Sequence, residues 1–435
     1  MKIHYLQADC GAGKTYSTLS HIADNPGRYV FAVNKIDLIG ERIREFNEFA
    51  GSENYQIAQI HSQCPNPLRI SVGGQIETFN NKARGQKAVL LFVTHEGLQV
   101  ADWTDYDDWE LIIDEIPAVW GYIEKNFTQT ASFVRQYFDA NPYHRINDYL
   151  RLTLNAHGRK TRNDWSGDAI VEVLRSTFDA CQRRSVVLIN ADTWLKMGTR
   201  KFRVFTLFEP DHLTVFKSVT ILGNRFTDSL LHRCWSKIGV EFVPVEDAVL
   251  RQPVTPVSER LEVIYFSNRP ATFNFFRDEA DPLRTVLDWC RKALGNQDVF
   301  YTVNSAFLGS FTFPGQERIS VLAHGHNKLK DKTVGIFMAA MKGKPHEYAM
   351  IRDVFGVSKD EFDLAREYEA VYQFVMRSNL RVYGSDKKVY MYVFSKAQAE
   401  FLHKITGAPI AKQDVGLNDN INKGGRPKGS FKRAA

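Results

Sequence analysis

Hydrophobic positions in the first part of the chain form short, continuous runs. The runs lie at 3–6, 29–34, 57–61, 88–93 and 110–114. Between the second and third runs, residues 35–49 carry apolar side chains every three or four positions, the spacing of a helix with one buried face. Fully apolar strands that alternate with helices are typical of parallel sheets covered on both sides. The pattern therefore predicts an α/β fold with a parallel sheet.

The pattern breaks at 251–258, RQPVTPVS, where two prolines in eight residues indicate a linker. Beyond it, apolar runs at 260–266 and 299–303 and a helical stripe at 283–294 predict a second α/β unit. The predicted organisation is a first domain at 1–250, the linker at 251–258, a second domain at 259–412 and a disordered basic tail at 413–435.

Residues 121–185 interrupt the alternation, because they are rich in helix formers, aromatic rings and basic side chains. We interpret them as a helical insertion in the first domain, after which the apolar run 185–190 resumes the sheet. Rings such as Tyr137 and Tyr149 among basic residues suit single-stranded nucleic acid, since bases stack on rings while cations follow phosphates. The same rings suit the core of an ordinary helical subdomain, and we prefer this second interpretation.

The strongest chemical signal follows the first strand, where residues 8–15 read ADCGAGKT. A small residue, four spacers and then Gly-Lys-Thr form the pattern of a phosphate-binding loop. Its glycines allow a tight turn in which successive N–H groups point at one anion. The lysine would bind the β- and γ-phosphates of ATP, and the threonine hydroxyl would ligate Mg²⁺. The residues predicted to bind ATP are Gly11, Ala12, Gly13, Lys14 and Thr15.

The run 110–114 ends in two carboxylates, Asp114 and Glu115. Downstream of a phosphate loop in an α/β pattern, a strand with this ending is the expected second half of a nucleotide site. Asp114 would hold Mg²⁺ through water. Glu115 would orient and deprotonate the attacking water.

Together these segments resemble the superfamily 2 helicases of the DEAD/DEAH type. Residues 11–15, GAGKT, match the first motif of that family, and 114–117, DEIP, occupy the place of the second. Pro117 departs from the family residue that helps to couple hydrolysis to movement. The resemblance implies two RecA-like domains and an ATP-dependent helicase or translocase acting on DNA. The compact core also resembles helicase-like proteins of phages and mobile elements.

Other segments resemble further motifs of the family in the same order. Residues 34–41 resemble motif Ia, and 216–224 lie where motif III is expected. Thr94 and Gly97 resemble the T-x-x-G element that holds a nucleic-acid phosphate, and a helix N-cap at Thr94 is the alternative. The segment 322–331 resembles motif V, which assigns Gly325 and Asn327 to nucleic-acid binding.

A capping box, Ser358-x-x-Glu361, predicts the start of a helix that runs towards residue 381. Gln373, Arg377 and Arg381 would share one face of that helix. They resemble motif VI, Q-x-x-G-R-x-x-R, without its glycine and with the second arginine one residue late. The resemblance places them with Glu115 in the catalytic set, because a cation from the second domain stabilises charge on the γ-phosphoryl group. A solvated basic helix face is the alternative.

The net charge of +6 is concentrated at the end of the chain, since 421–435 contain five basic residues and no acidic ones. Within them, 425–429 read GRPKG and resemble an AT-hook, in which Arg426 and Lys428 would enter the minor groove of A·T-rich DNA. A generic cationic tail that contacts phosphates is the alternative. DNA is therefore the predicted partner, single-stranded in the motor groove and duplex at the tail.

The early phosphate loop leaves no room for a signal peptide, and no apolar run approaches the roughly 18 residues that span a bilayer. We expect a cytoplasmic protein without a membrane partner. Five cysteines lie far apart without metal-binding spacing, which indicates reduced thiols and no structural metal. Cys10, inside the phosphate loop, predicts sensitivity to thiol reagents.

Two other functions fit a phosphate loop followed by an acidic strand end. A packaging-motor ATPase would need a C-terminal nuclease with clustered carboxylates, and 257–412 show no obvious cluster. A DNA-binding regulator would use ATP as a conformational switch without translocation, and Pro117 keeps that alternative open.

Overall fold

The computed structural model describes nine stretches of the chain. They are 1–66, 70–125, 131–163, 169–182, 185–196, 201–246, 248–277, 281–322 and 328–419. Contacts divide the chain into two compact units, of which unit 1 contains 1–250 and 344–362. Unit 2 contains 251–343 and the residues from Asp363 onward. The division after Leu250 falls where the proline-containing stretch begins.

Unit 1 opens with strands and helices that alternate along the chain. The strands are β1 (Lys2–Gln7), β2 (Arg28–Val33), β3 (Gln56–Ile60), β4 (Val89–Thr94) and β5 (Glu110–Asp114). The helices are α1 (Lys14–Asp24), α2 (Ile36–Phe46), α3 (Val72–Lys82) and α4 (His95–Val100). Five of the six residues of β2 are buried, as expected for a strand covered on both faces. The predicted α/β alternation is confirmed.

A second sheet follows β5 and interrupts the first one. Its strands are β6 (Trp120–Lys125), β7 (Phe138–Tyr143), β8 (Ile146–Leu154), β9 (Val186–Asn190) and β10 (Phe202–Leu207). Its helices are α5 (Ala131–Val134), α6 (Ala156–Asn163), α7 (Ala169–Gln182) and α8 (Ala191–Leu195). The strands pair antiparallel in the order β6-β10-β9-β8-β7. The insertion is therefore a sheet with helices, and the prediction of a helical insertion at 121–185 is wrong.

Strand β9 shows why this sheet was misassigned. Val186 and Leu188 belong to the main core of unit 1, whereas Val187 and Ile189 belong to a second core with α7. A strand buried on both faces reads as a continuous apolar run, whichever direction its neighbours take. The prediction that 185–190 resumes the first sheet is therefore wrong. Tyr137 and Tyr149 are buried, which agrees with the interpretation of these rings as core.

The first sheet resumes after the insertion with β11 (Ser218–Gly223), followed by α9 (Leu230–Lys237) and β12 (Glu241–Pro244). Its seven strands run in the order β12-β1-β11-β5-β2-β4-β3, and every pair is parallel. Strand β11 thus lies between β1 and β5. The carboxyl ends of these three strands meet at one edge of the sheet.

Unit 2 is built on a six-stranded parallel sheet. The strands after Arg251 are β13 (Leu261–Ser267), β14 (Val299–Val303), β15 (Glu317–Arg318), β16 (Val334–Met338), β17 (Val389–Ser395) and β18 (Ile410–Lys412). The helices of unit 2 are α10 (Val257–Arg260), α11 (Phe273–Phe276), α12 (Pro282–Leu294), α15 (Glu369–Val375) and α16 (Lys396–Thr406). Between α12 and α15 lie α13 (Pro345–Phe355) and α14 (Lys359–Asp363), which fall mainly in unit 1. The strand order is β15-β14-β16-β17-β13-β18. Helix α12 buries the predicted stripe, which includes Val286, Leu287 and Cys290.

Residues 344–362, here called the return segment, belong to unit 1 although the residues on either side belong to unit 2. Met350 and Ile351 of α13 are fully buried in the main core of unit 1. Glu361 pairs with Arg233 of α9 at 3.2 Å. The sequence did not predict this return, because its helical pattern says nothing about which unit covers its apolar face.

The chain after β18 still packs on unit 2. Gln413 donates its N–H to the Tyr265 carbonyl at 2.8 Å, and the Asp419 carboxylate accepts from the Ser267 hydroxyl at 2.7 Å. The predicted tail therefore starts too early at 413, and 420–435 lie outside the described residues. Within the described part of the chain, no helix combines the length and the apolar character needed to cross a bilayer.

Candidate nucleotide-binding site

The loop after β1 has the backbone that a phosphate-binding turn requires. Gly11 and Gly13 have φ of +89° and +88°, a left-handed conformation that glycine adopts without steric cost. Ala12 between them is buried, and its N–H donates to the Asp9 carbonyl at 3.2 Å. Helix α1 begins at Lys14, directly after the turn. The strand, loop and helix expected around the motif are all present.

The Lys14 side chain folds back over this loop. Its Nζ donates to the carbonyls of Ala8 at 2.6 Å and Asp9 at 3.0 Å. The ammonium group is therefore held at the loop, where an anion bound by the loop N–H groups would meet it.

Thr15 and Asp114 are brought together although 99 positions separate them. The Thr15 hydroxyl donates to Asp114 Oδ1 at 2.8 Å, and Asp114 is only 5% exposed. The contact follows from topology, because β1 and β5 both neighbour β11 and end at the same edge of the sheet. A hydroxyl and a carboxylate are oxygen ligands of the kind that Mg²⁺ prefers. The residues present thus fit Mg²⁺ and a triphosphate.

Arg42 of α2 holds the other oxygen of the Asp114 carboxylate. Its Nε donates to Asp114 Oδ2 at 3.1 Å, and its Nη1 donates to Glu45 at 2.7 Å. Burial acts to lower the pKa of Arg42, but Asp114, Glu45 and Glu41 together raise it above its usual value. The guanidinium therefore stays charged beside Asp114.

Sequence reasoning missed Arg42, although a signal was available. Arg42 lies four positions after Leu38 and three after Ile39, and both of these residues are buried. A helical wheel therefore places its side chain on the covered face of α2, where a charge needs a partner.

Glu115 is one of three described non-glycine residues with positive φ, at +70°. A non-glycine residue in this region costs about 1–3 kcal/mol and is found where the surroundings fix it. Its side chain is held by Asn34, whose Nδ2 donates to Glu115 Oε2. Asn34 directly follows β2, at the same edge of the sheet.

Gly223, in the segment likened to motif III, closes the site at the end of β11. Its carbonyl accepts the Ala8 N–H at 3.3 Å. A Cβ atom at this position would lie 2.8 Å from Cγ1 of Ile116, a distance that real Cβ atoms do not tolerate. Only glycine lets β11 pass this close to the segment after Asp114. Pro117 is buried in that segment.

Thr94 and Gly97 lie at the end of β4. The Thr94 hydroxyl accepts the Gly97 N–H at 3.0 Å, so Thr94 caps α4. This is the alternative that the sequence left open. A nucleic-acid contact at Thr94 and Gly97 stays a prediction.

In unit 2, the structure places Gln373, Arg377 and Arg381 differently from the prediction. Helix α15 carries Gln373, which donates to Glu369 at 2.8 Å, and ends at Val375. Arg377 lies beyond the helix and is 4% exposed, while Arg381 lies in a 3₁₀ turn. The prediction that the three share one helix face is therefore wrong.

The helix ends early because its last turn tightens. The Arg377 N–H donates to the carbonyl three residues back, on Phe374, at 3.1 Å. The Ser378 hydroxyl then accepts the Leu380 N–H at 3.3 Å and starts the 3₁₀ turn. The predicted capping box further upstream is confirmed, since Ser358 and Glu361 exchange hydrogen bonds of 2.8 and 3.3 Å.

Arg260 anchors the turn that contains Arg381. Its guanidinium is fully buried and donates to the carbonyl and side-chain oxygens of Asn379 at 2.7 and 2.8 Å. It also donates to the carbonyl of Val382 at 3.2 Å. A buried cation that binds three acceptors of one turn fixes the conformation of that turn.

Four predicted site residues lie outside the described residues. They are Gly325, Asn327, Arg426 and Lys428.

No protein-family model and no curated protein sequence matches this chain. Solved structures do match. A structure described as XPD in its apo form has a TM-score of 0.55 at 9% identity and covers 94% of this chain and 97% of its own. Xpd4 of S. tokodaii has a TM-score of 0.51 at 10% identity and covers 95% of this chain and 96% of its own.

The chain shares its fold with these two structures. At these identities the likeness concerns the fold alone. The parallel sheet of each unit agrees with this shared fold, so the predicted α/β class with two RecA-like domains is confirmed. A DUF1998 helicase, MrfA bound to DNA, also matches, but its TM-score of 0.34 is too low to support an argument.

Proposed function

We propose that this protein is an ATP-dependent nucleic-acid helicase or translocase. The observation that carries the proposal is the hydrogen bond from Thr15 to Asp114 Oδ1 at 2.8 Å. It joins the start of α1, directly after the glycine-containing loop, to a carboxylate at the carboxyl end of the parallel strand β5. The same edge holds Glu115, in a strained backbone conformation that is typical of functional sites.

Each residue of unit 1 has a distinct role in this proposal. The loop N–H groups and Lys14 bind the triphosphate of ATP, while Thr15 and Asp114 hold Mg²⁺, the latter through water. Bound Mg²⁺ would neutralise charge on the phosphate oxygens. Glu115 orients the attacking water and accepts its proton.

Residues of unit 2 complete the reaction in the proposal. Arg377 and Arg381 stabilise charge on the γ-phosphoryl group in the transition state, and Gln373 assists them. Hydrolysis then depends on the two domains closing on ATP, so that chemistry is converted into stepping.

DNA is the proposed partner. A single strand would contact Thr94 and Gly97 in unit 1 and Gly325 and Asn327 in unit 2. Arg426 and Lys428 of the basic tail would contact a duplex or phosphates without sequence preference. Such contacts position a nucleic-acid backbone without reading its bases, as a motor that moves along any sequence requires.

One observation favours a second candidate, a DNA-binding regulator that uses ATP as a switch. Pro117 has neither a backbone N–H nor a polar side chain, and it is buried after Glu115. It lies where the helicase family has a residue that couples hydrolysis to movement. A protein without that coupling would bind and hydrolyse ATP and change its DNA affinity without stepping.

Displacement of streptavidin from the biotinylated end of a DNA single strand separates the two candidates. A translocase releases streptavidin only with ATP, and Glu115→Gln or Arg377→Ala abolishes release while ATP still binds. Arg284→Ala, an exposed arginine of α12, is the matched control and leaves release unchanged. A DNA affinity that depends on nucleotide, without any release, would favour the switch. Unchanged turnover in Arg377→Ala would remove that residue from the site.

A further inference from the structure

The Asp419 carboxylate is bound by three donors of unit 2 at the carboxyl end of β13. Its Oδ1 accepts from the Ser267 hydroxyl at 2.7 Å and from the Asn268 N–H at 3.0 Å. Lys412 of β18 donates its ammonium group to Oδ2. A hydroxyl, a backbone N–H and an ammonium group thus bind the two oxygens of one anion, and we call these three donors the anion site.

The Ser267 donor is oriented by its own loop. Ser267 is fully buried, and its oxygen accepts the Arg269 N–H at 3.0 Å. Because this contact uses a lone pair of the hydroxyl oxygen, the hydroxyl hydrogen turns away from Arg269 and towards the anion. The hydroxyl would therefore offer the same hydrogen to another anion that takes the place of Asp419.

Strand register brings the donors together at one edge of the sheet. Ser267 lies opposite Ser395 of β17, and Tyr265 lies opposite Lys412 of β18. Ser395 is the N-cap of the eleven-residue helix α16, so the positive end of this helix lies next to Ser267. Open α/β sheets bind their ligands at such an edge, outside the carboxyl ends of the strands.

The anion site stabilises a negative charge of a particular shape. Burial acts to raise the pKa of Asp419, but the bonds from Lys412, Ser267 and Asn268 lower it below its usual value. A phosphodiester carries one negative charge on two oxygens, as a carboxylate does, so the same donors suit it. Lysine and serine side chains and backbone N–H groups are also the donors that proteins use to bind the phosphates of nucleic acids.

Asp419 lies at the end of a segment that can leave the sheet at low cost. Residues 413–419, here called the strap, form neither helix nor strand. Gln413 donates its N–H to a carbonyl of β13, and Val415 and Leu417 are only partly buried against unit 2. Segments with few backbone hydrogen bonds and little buried apolar surface open locally, without global unfolding. The carboxylate can therefore be exchanged for another anion while the sheet stays folded.

We propose that the anion site binds a phosphate group of a nucleic-acid backbone, and that Asp419 occupies it when nucleic acid is absent. The strap is then an internal competitor, because Asp419 must leave before a phosphate enters. This inference rests on the proposed function only in taking nucleic acid as the source of the phosphate, since the anion site does not depend on ATP hydrolysis.

Binding of a fluorescent DNA single strand to Asp419→Asn and Asp414→Asn tests the competition. Each change removes one negative charge from the strap, and Asp414 is exposed and accepts from Gly416 within the strap. Asp419→Asn should tighten binding about 5- to 10-fold, because a site that is open in roughly a tenth of the molecules binds that much more weakly. Asp414→Asn, the matched control, should tighten it less than about twofold, since salt screens an exposed charge.

Variants of the donors show whether this gain requires the anion site. Ser267→Ala and Lys412→Gln, each combined with Asp419→Asn, should lose most of the gain, because the phosphate then lacks one donor. Lys412 is exposed, so its variant decides the matter if Ser267→Ala is unstable. Lys388→Gln removes an exposed lysine just before β17, at the other edge of the sheet, and should leave the gain intact.

Hydrogen exchange of the strap, read by mass spectrometry, distinguishes nucleic acid from free phosphate. The DNA strand should raise exchange in the peptide that contains 413–419, because Asp419 leaves the anion site and the strap opens. Inorganic phosphate is compared with sodium chloride of the same ionic strength, and we expect no rise with either salt. A rise with inorganic phosphate but not with DNA would overturn the assignment of the site to nucleic acid.

Three further results overturn the inference. Equal tightening by Asp419→Asn and Asp414→Asn would reduce the effect to net charge. An unchanged affinity of Asp419→Asn would mean that the carboxylate only ties the strap to unit 2. Strap exchange that responds to neither ligand would mean that no phosphate enters the site.

Failure of the proposed function is a separate result. If DNA opens the strap but the protein does not hydrolyse ATP, the anion site stands and the helicase or translocase proposal fails. If the protein binds DNA and hydrolyses ATP while the strap stays closed, only the inference about Asp419 fails.

Discussion

Arg42 reaches from α2 to the end of β5 and donates to Asp114 Oδ2 at 3.1 Å. The other carboxylate oxygen, Oδ1, accepts a hydrogen bond from Thr15. Asp114 is therefore fixed both from helix α2 and from the end of the phosphate loop. The side chain that is proposed to orient Mg²⁺ through water is thereby held in position by the protein. Such preorganisation lowers the cost of assembling a site when its ligands arrive.

Arg42→Ala should destabilise unit 1. The change leaves the Asp114 carboxylate, which is 5% exposed, without its cation. Loss of a hydrogen bond to a charged group of this kind costs about 1.5–3 kcal/mol of unfolding free energy. Urea unfolding followed by tryptophan fluorescence measures the loss. Arg44→Ala, exposed on the same helix, is the control, and equal stability of the two variants would contradict the role given to Arg42.

Gly223→Ala should disturb both packing and the phosphate loop. The added methyl group would meet Ile116 at 2.8–2.9 Å, and the Gly223 carbonyl supports the N–H of Ala8. Overpacking at a tight position costs about 1–3 kcal/mol. We expect a lower thermal midpoint and weaker ATP binding. Gly309→Ala, with open space around its Cβ position, should change neither, and an equally stable Gly223→Ala would show that β11 has room to shift.

Thiol labelling tests the burial of the cysteines and the location of the nucleotide. Burial raises the pKa of the Cys181, Cys234 and Cys290 thiols to about 12. Because the thiolate is the reactive form, these three should resist alkylation at pH 8, where they stay protonated. Cys10, Cys64 and Cys181 are all partly exposed. Of these, only Cys10 and Cys64 should react, because the raised pKa keeps the Cys181 thiol protonated.

Mass spectrometry of the labelled peptides gives the result. ATP should slow labelling of Cys10 in the phosphate loop and leave that of Cys64 unchanged, which makes Cys64 an internal control. Rapid labelling of Cys234 in the folded protein would contradict its burial. Labelling of Cys10 at the same rate with and without ATP would argue against nucleotide binding at this loop.

Local patterns predicted the central part of the site. The loop at 8–15 and the strand that ends in Asp114 and Glu115 are each determined by a few adjacent residues, and β2 is a buried apolar run in sequence and in structure. The order of strands in a parallel sheet then brings the two halves of the site to one edge. Local sequence and the topology of a parallel sheet are sufficient to predict such features.

The remaining features depend on packing that the sequence does not display. The run 185–190 was assigned to the wrong sheet, because an apolar strand does not reveal which strands pair with it. The helical periodicity of Gln373, Arg377 and Arg381 continued past the point where the backbone tightens after Val375. The contact of Arg42 with Asp114 joins two elements 72 positions apart, and it can be suggested from sequence only by noting a charge on the apolar face of α2.

The basic tail should contribute to nucleic-acid affinity through phosphates. Deletion of 421–435 removes five basic residues. Each contact with a single strand contributes about 0.7 to the slope of log affinity against log salt, so the slope should flatten by up to about 3.5. Fluorescence anisotropy over a salt series measures the slope. ATPase activity without nucleic acid should be unchanged.

A tail of unchanged length, with its five lysines and arginines replaced by glutamine, is the matched control for deletion. It should flatten the slope to the same extent if charge alone is responsible. An unchanged slope in both variants would exclude the tail from the nucleic-acid interface. A preference for A·T-rich duplex that only the natural tail confers would support the AT-hook interpretation.

The most direct test of the central claim is the steady-state ATPase rate with and without a DNA single strand, for the wild type and for Lys14→Ala. The wild-type rate should rise severalfold with DNA, because nucleic acid is proposed to drive hydrolysis at the site of Thr15 and Asp114. Lys14→Ala should abolish both the basal and the stimulated rate, since Lys14 is proposed to bind the β- and γ-phosphates. A wild-type rate that is indifferent to nucleic acid, or a Lys14→Ala variant that hydrolyses ATP like the wild type, would contradict the account.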